Sequence, residues 1–390
     1  MTTSIANRVR ISAIVQQANA ESARQDGDGN MLWQSTWSMV ASINSRLAST
    51  SAPSAPDPAL LDHDMHDLWH TYWHGAINTA PNSSKLDRLA LGIVQAREQG
   101  VCNLKLVHAT EPGSESSLDE SQHELVTLPR VPATTSDGAR IWTDLPFLAQ
   151  DMTTHWTSDC AAMSSAQRLS GAQFLAMLAA AGAAPDDALC GIALVVLREA
   201  LETPRPLAAV ADQPDPGRQM RDLGVADLLP AANAWLFTAG RKLVQLSDAE
   251  RGDQFPDEVG RLGELIVAVD AASSGGGGGG RGLIGAGEVP PRHGGFSLQR
   301  WMWWLRRLEQ IVSVATGDDG ISQGEESGLS FESLVQGMMD NMLLIAKQTS
   351  GSIAEALRRS AGRISHQPVM QLLGPDRAGV PGTVGMGSWS

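Results

Sequence analysis

Four of the nine histidines fall within the fourteen residues LDHDMHDLWHTYWH, at His63, His66, His70 and His74. Each residue of an α-helix turns about 100°, so these imidazoles share one stripe. The i to i+4 pairs His66/His70 and His70/His74 have the spacing with which two imidazoles grip a single Zn²⁺ or Cu²⁺. His66, His70 and His74 are therefore the candidate metal ligands. A catalytic zinc usually takes a third protein ligand, which Asp67 or a distant His108, His123 or His155 would have to supply. No His-Glu-x-x-His is present, which removes the metalloprotease arrangement. The simpler reading is a partly solvated flank beside the core whose histidines bind only water, and no cofactor is expected.

Other chemical patterns are weaker. Gly320-Ile321-Ser322-Gln323-Gly324 has the letters of a nucleophile elbow, but an elbow needs a strand entering and a helix leaving. Here a helix precedes, and Asp318, Asp319, Glu325 and Glu326 surround the serine with charge that disfavours an oxyanion. The unbroken run Gly275 to Gly280 satisfies any glycine-based phosphate pattern trivially, and no Gly-Lys-Ser or Gly-Lys-Thr follows it. The acid pairs Asp186-Asp187 and Glu325-Glu326 diverge on a helix and do not form an acid/base dyad by themselves. Cys102, Cys160 and Cys190 are odd in number and widely spaced, so they give neither a disulfide framework nor a metal knuckle.

Eleven tryptophans against a single tyrosine, Tyr72, are the strongest bias in composition. Trp69 and Trp73 occupy the stripe beside the histidines, and Trp301 and Trp304 lie on a second amphipathic segment. Tryptophan at helical spacing is usually core, yet a tryptophan-lined gap between helices also suits an apolar or aromatic ligand. Trp69, Trp73, Trp301 and Trp304 are thus the candidate ligand-binding residues.

Helices must position all of these groups. In GGFSLQRWMWWLRRLEQIVSV, Ser297 stands where an N-cap belongs, and Phe296 before it can staple onto the apolar face. Trp301, Trp304, Leu305, Leu308, Ile311 and Val312 then recur at helical spacing, while Arg300, Arg306, Arg307 and Glu309 point elsewhere. The arginines of this stretch form a small basic aromatic patch or lay their stems on the tryptophans; the spacing allows both. Similar periodicity predicts helices over about 4–24, 31–49, 58–79, 83–99, 146–158, 164–182, 186–202, 226–246, 256–270, 297–315 and 328–359, and strand patterning is nearly absent. The expected fold is all-α: an irregular multi-helix domain with a disordered Gly-rich insertion and tail. Residues 1–30 read as an N-terminal helix or flexible lead, 31–370 as one helical domain, and 371–390 as a flexible tail. Within the domain, 110–140 is an acidic Ser/Pro loop and 272–295 a Gly-rich loop.

Composition narrows the function classes. The 390 residues are 42% hydrophobic, enough for a sizeable core. A net charge of −14 repels phosphate backbones and anionic membrane surfaces, so neither nucleic acid nor a membrane is an expected partner. The N-terminal residues lack a secretory h-region, and the run Ala188 to Leu201 is too short to span a bilayer. The expected location is intracellular, in the cytoplasm.

Several signatures occur in order. Leu68-Trp69 and Tyr72-Trp73 lead into Ala76, Pro81 and Leu86-Asp87-Arg88-Leu89; Trp142-Thr143-Asp144-Leu145-Pro146 closes on Trp156. Then come AANAWLFTAG from Ala231 to Gly240, and Gly295-Phe296-Ser297-Leu298-Gln299-Arg300-Trp301 with Trp304. Over roughly residues 60 to 315, this succession resembles the uncharacterised fungal family named domain of unknown function 3632. The resemblance implies a helical fold and a fungal context, and it brings no activity, cofactor or catalytic residue with it. The six-glycine run before the last motif departs from the family pattern.

Three functions fit these residues. The first is a non-catalytic helical interaction or scaffold protein that meets a protein partner. The second is a small-molecule binding protein or cofactor-free enzyme of fungal secondary metabolism, using a Trp-lined pocket. The third is a metal-dependent enzyme built on His66, His70 and His74.

Overall fold

A computed structural model describes residues 11–25, 30–49, 57–99, 133–209, 212–251, 254–274, 291, 293–317 and 331–361. Thirteen α-helices are present among them: α1 (Ala13–Gln25), α2 (Asn30–Ser49), α3 (Pro58–Ile77), α4 (Ser84–Gln99), α5 (Leu148–Asp159), α6 (Ser165–Ala180), α7 (Cys190–Leu197), α8 (Val225–Asp248), α9 (Asp257–Gly260), α10 (Glu264–Ser274), α11 (Leu298–Gly317), α12 (Phe331–Thr349) and α13 (Gly351–Ala361). The fold is all-α, and the described β pairing is a single bridge between Thr134 and Arg140. The glycine run at 275–280, the Gly-x-Ser-x-Gly segment, most of the acidic Ser/Pro stretch and the tail lie outside the described residues.

The helices start where side chains relieve their unpaired amides. Asp57 accepts from the Ala59 amide at 3.0 Å with Pro58 in the first turn of α3. Ser164 and Gln167 close a capping box on α6. Ser297 Oγ accepts from the Arg300 amide at 3.2 Å, as expected of the α11 cap, and Phe296 is buried edge-on to Trp304.

One apolar cluster joins buried residues from Ile43 to Leu357. α7, apolar on every side, is wholly buried within it, and Trp69, Trp73, Trp156, Trp235, Trp301 and Trp304 are its largest fully buried apolar members. α6 packs on α8, α8 on α12, and α11 on α12; α3 is gripped by α1, α2, α5 and α6.

Two expected helices are broken. The segment read as 256–270 divides into α9 and α10, and the one read as 328–359 divides at Ser350, whose hydroxyl caps α13 by accepting from the Ile353 amide at 3.1 Å. The first break is held by Arg300, which spacing alone points away from the core. Arg300 is instead fully buried. Its guanidinium donates to the carbonyls of Gly260 (2.8 Å), Arg261 (2.9 Å) and Gly295 (2.9 Å), and to Glu202 at 2.7 and 3.0 Å. Glu202 closes a π-helical turn, Arg198–Glu202, that ends α7, and it also accepts from the Gly263 amide (2.8 Å) and the Trp304 indole (2.7 Å). All five guanidinium N–H groups and both carboxylate oxygens are therefore satisfied. The backbone groups that helix breaking would orphan are the ones this ion pair binds.

Candidate functional site

The histidine stripe of α3 is covered by α1 and faces α5. His63 is exposed, His66 and His74 are half-buried, and His70 is buried. The Asn19 side-chain amide of α1 donates to His70 Nδ1 (2.9 Å) and to Thr71 Oγ1 (3.0 Å), which places the His70 proton on Nε2. The His70 ring lies 4.4 Å from that of His74 and 5.4 Å from that of His155 on α5. Trp73 stacks on His155 and donates its indole N–H to Asp159 at 2.7 Å.

Burial sets the charge of this cluster. It holds His70 down to about 3, with the nearby His74 and His155 adding to the effect. It lowers His155 to about 4, against the opposing pull of Asp159 and with help from His74 and His66. His74 is also lowered by burial, with Asp159 opposing. Three of the imidazoles are thus neutral at pH 7.

His66 differs. Its Nδ1 meets Asp151 Oδ2 at 2.7 Å, and Asp151 is fully buried. Burial raises the Asp151 carboxyl above the usual carboxylate range, and the bond to His66 opposes that rise. Asp151 Oδ1 and His155 Nε2, one turn apart on α5, are both buried without a hydrogen-bond partner. Phe147 stacks on His66 at 4.4 Å.

The turn before α5 delivers these groups. Leu145 and Phe147 both adopt positive φ, +46° and +65°, a conformation that side-chain-bearing residues avoid. Strain of this kind persists where surrounding structure enforces it and clusters at working sites. Here Pro146 is tied to α3 by the Trp69 indole, which donates to its carbonyl at 2.7 Å. The Trp-rich motif of α3 and the Trp142–Pro146 motif therefore meet at the His66–Asp151 pair.

Of the candidate ligands, His70 and His74 approach each other, whereas His66 turns to Asp151. Among the described residues, no three His, Cys, Asp or Glu side chains are arranged to hold one metal ion. Trp69, Trp73, Trp301 and Trp304 are all fully buried, the first two on α3 and the others on α11, and no ring contact joins the pairs among the described residues. Asp151 escaped the sequence reading because its partner is 85 positions away; the one local signal was its i to i+4 relation to His155.

This chain belongs to the family described as protein of unknown function (DUF3632), which matches residues 69–308. It is 32% identical over 273 residues to the oxopyrrolidines biosynthesis cluster protein G of Penicillium oxalicum (strain 114-2 / CGMCC 5302). That match covers 69% of this chain and 66% of the relative, so the chain spans just under two thirds of the relative's length. No solved structure matches the chain. No helix among the described residues is long and apolar enough to cross a membrane.

Proposed function

We propose that this protein acts on a small molecule of fungal secondary metabolism, with His66 as a cofactor-free general base oriented by Asp151. The observation that carries this reading is the 2.7 Å bond between His66 Nδ1 and the buried Asp151 carboxylate. A carboxylate that holds the Nδ1 proton fixes the tautomer and leaves the Nε2 lone pair to accept a proton from a substrate. His66 keeps 15% of its side chain exposed, and Nε2 has no protein partner among the described residues. The relative named for a biosynthesis cluster supports the metabolic context. On the residues alone an interaction or scaffold protein stands first, because no catalytic set is visible. The His66–Asp151 pair reverses that order.

The test is genetic and chemical together. Deleting the gene in its host should abolish or divert a metabolite detected by mass spectrometry, and the wild-type gene should restore it. A His66→Gln gene whose product melts like wild type should not. An unchanged metabolite profile on deletion would remove the biosynthetic reading; full rescue by His66→Gln would remove the base.

A further inference from the structure

Arg307 on α11 is a half-buried cation that no carboxylate answers among the described residues. The other buried arginines are paired: Arg300 with Glu202, Arg168 with Asp227, and Arg198 and Arg205 with Glu199. Arg307 has one hydrogen bond, from Nη1 to Gln310 Oε1 at 3.4 Å. Its Nε is sealed from solvent without a partner. Burial pushes its charge below the ordinary guanidinium range, with no acid among the described residues opposing this.

The surroundings share this polarity. Trp303 lies one turn earlier on the same face of α11, is 4% exposed, and has a buried indole N–H with no partner. Both unanswered atoms are donors, and their complement is a group that only accepts. Burying a guanidinium without a counter-charge is costly, and a water molecule does not supply one. The Nε–Nη2 edge of Arg307, which has no protein partner among the described residues, is the fork that takes two oxygens of a planar carboxylate side-on.

We propose that the Trp303–Arg307 face of α11 binds the carboxylate of a small organic acid, with Arg307 Nε and Nη2 on its two oxygens and the Trp303 indole N–H as a third donor. The site uses no residue of the histidine cluster, so it stands or falls separately from the function proposed above.

Benzoate is the probe, titrated calorimetrically into the full chain at constant ionic strength, with chloride as the reference ion. One benzoate per chain should bind saturably and shift one indole signal in a ¹H–¹⁵N spectrum, the signal that Trp303→Phe lacks. Arg307→Gln should weaken binding by about tenfold or more, the loss expected when a charge-assisted pair is removed. Arg307→Lys should also weaken it, because an ammonium keeps the charge and loses the fork. If Arg307→Gln does not fold, Trp303→Phe carries the test, since it keeps the guanidinium and should still bind several-fold more weakly. The proposal is overturned by absent saturation, by unchanged affinity in these variants, or by inorganic phosphate binding as tightly as benzoate, which would mark a general anion site.

Discussion

Glu202 and Arg300, 98 positions apart, form a fully buried ion pair with N–O distances of 2.7 and 3.0 Å. Arg300→Met should destabilise the protein by about 3–5 kcal/mol, because Glu202 would remain as an uncompensated buried charge. Replacing both partners usually relieves that cost. Here it should not, since the carbonyls of Arg261 and Gly295, the Gly263 amide and the Trp304 indole would lose these partners, and the Gly260 carbonyl would keep only the Gly295 amide. Urea denaturation in which Glu202→Met/Arg300→Met recovers wild-type stability would show the pair to be replaceable.

Trp304 contributes both volume and a donor to this cluster. Trp304→Ala should cost about 3–5 kcal/mol, through lost burial and a large cavity. Trp304→Phe keeps most of the ring and leaves one Glu202 oxygen short of a donor, at a cost of about 1–3 kcal/mol. Thermal melts should rank the two in that order; equal melting of Trp304→Ala and wild type would contradict the packing.

Gly263 is a steric checkpoint on the same cluster. A Cβ there would lie 2.3 Å from the Glu202 Cβ and 2.7 Å from its carbonyl oxygen, so the backbone must move. Gly263→Ala should destabilise by about 1–3 kcal/mol. Chemical denaturation with an unchanged midpoint would show that the break between α9 and α10 accommodates a side chain.

Acid should weaken the fold through the buried imidazoles. His70 and His155 titrate at about 3 and about 4 in the native state, against about 6.5 when unfolded. Between those values the unfolded chain binds more protons, so stability falls as pH drops below about 6.5. Asp151 acts in the opposite sense: its raised carboxyl favours the fold while protonated, a contribution lost as pH rises through its native value. Denaturant midpoints measured from about pH 7 to 4 should fall less steeply in His70→Gln than in wild type. Parallel profiles would show that His70 does not drive the loss.

Metal binding by the stripe is open to a direct measurement. With His66 Nδ1 on Asp151 and His70 Nδ1 facing Asn19, the purified protein should carry less than stoichiometric zinc, and chelator should leave its melting temperature unchanged. A bound metal would stabilise the fold by mass action. One tightly held ion per chain that disappears in His70→Ala/His74→Ala would establish the metal-dependent reading instead.

Local patterns in the sequence already determined most of the helices, the cap of α11 and the core-facing tryptophans of α3 and α11, because helical periodicity and capping are written within a few residues. Ser297 as the cap of α11 and Trp301 and Trp304 as core followed from spacing alone. The His66/His70/His74 stripe was equally legible, but its chemistry was not. Asp151 reaches His66 only because a strained turn sets α5 against α3, and Asn19 reaches His70 only because α1 packs there. Arg300 shows the limit most sharply. A charged residue just before a run of tryptophans reads as solvent-facing until tertiary structure supplies Glu202 and the freed carbonyls of the α9–α10 break, and with all its donors satisfied, burial of the guanidinium becomes tolerable. Periodicity decided which residues sit on a helix face; which partner that face meets was decided by contacts across 51 to 98 positions of chain.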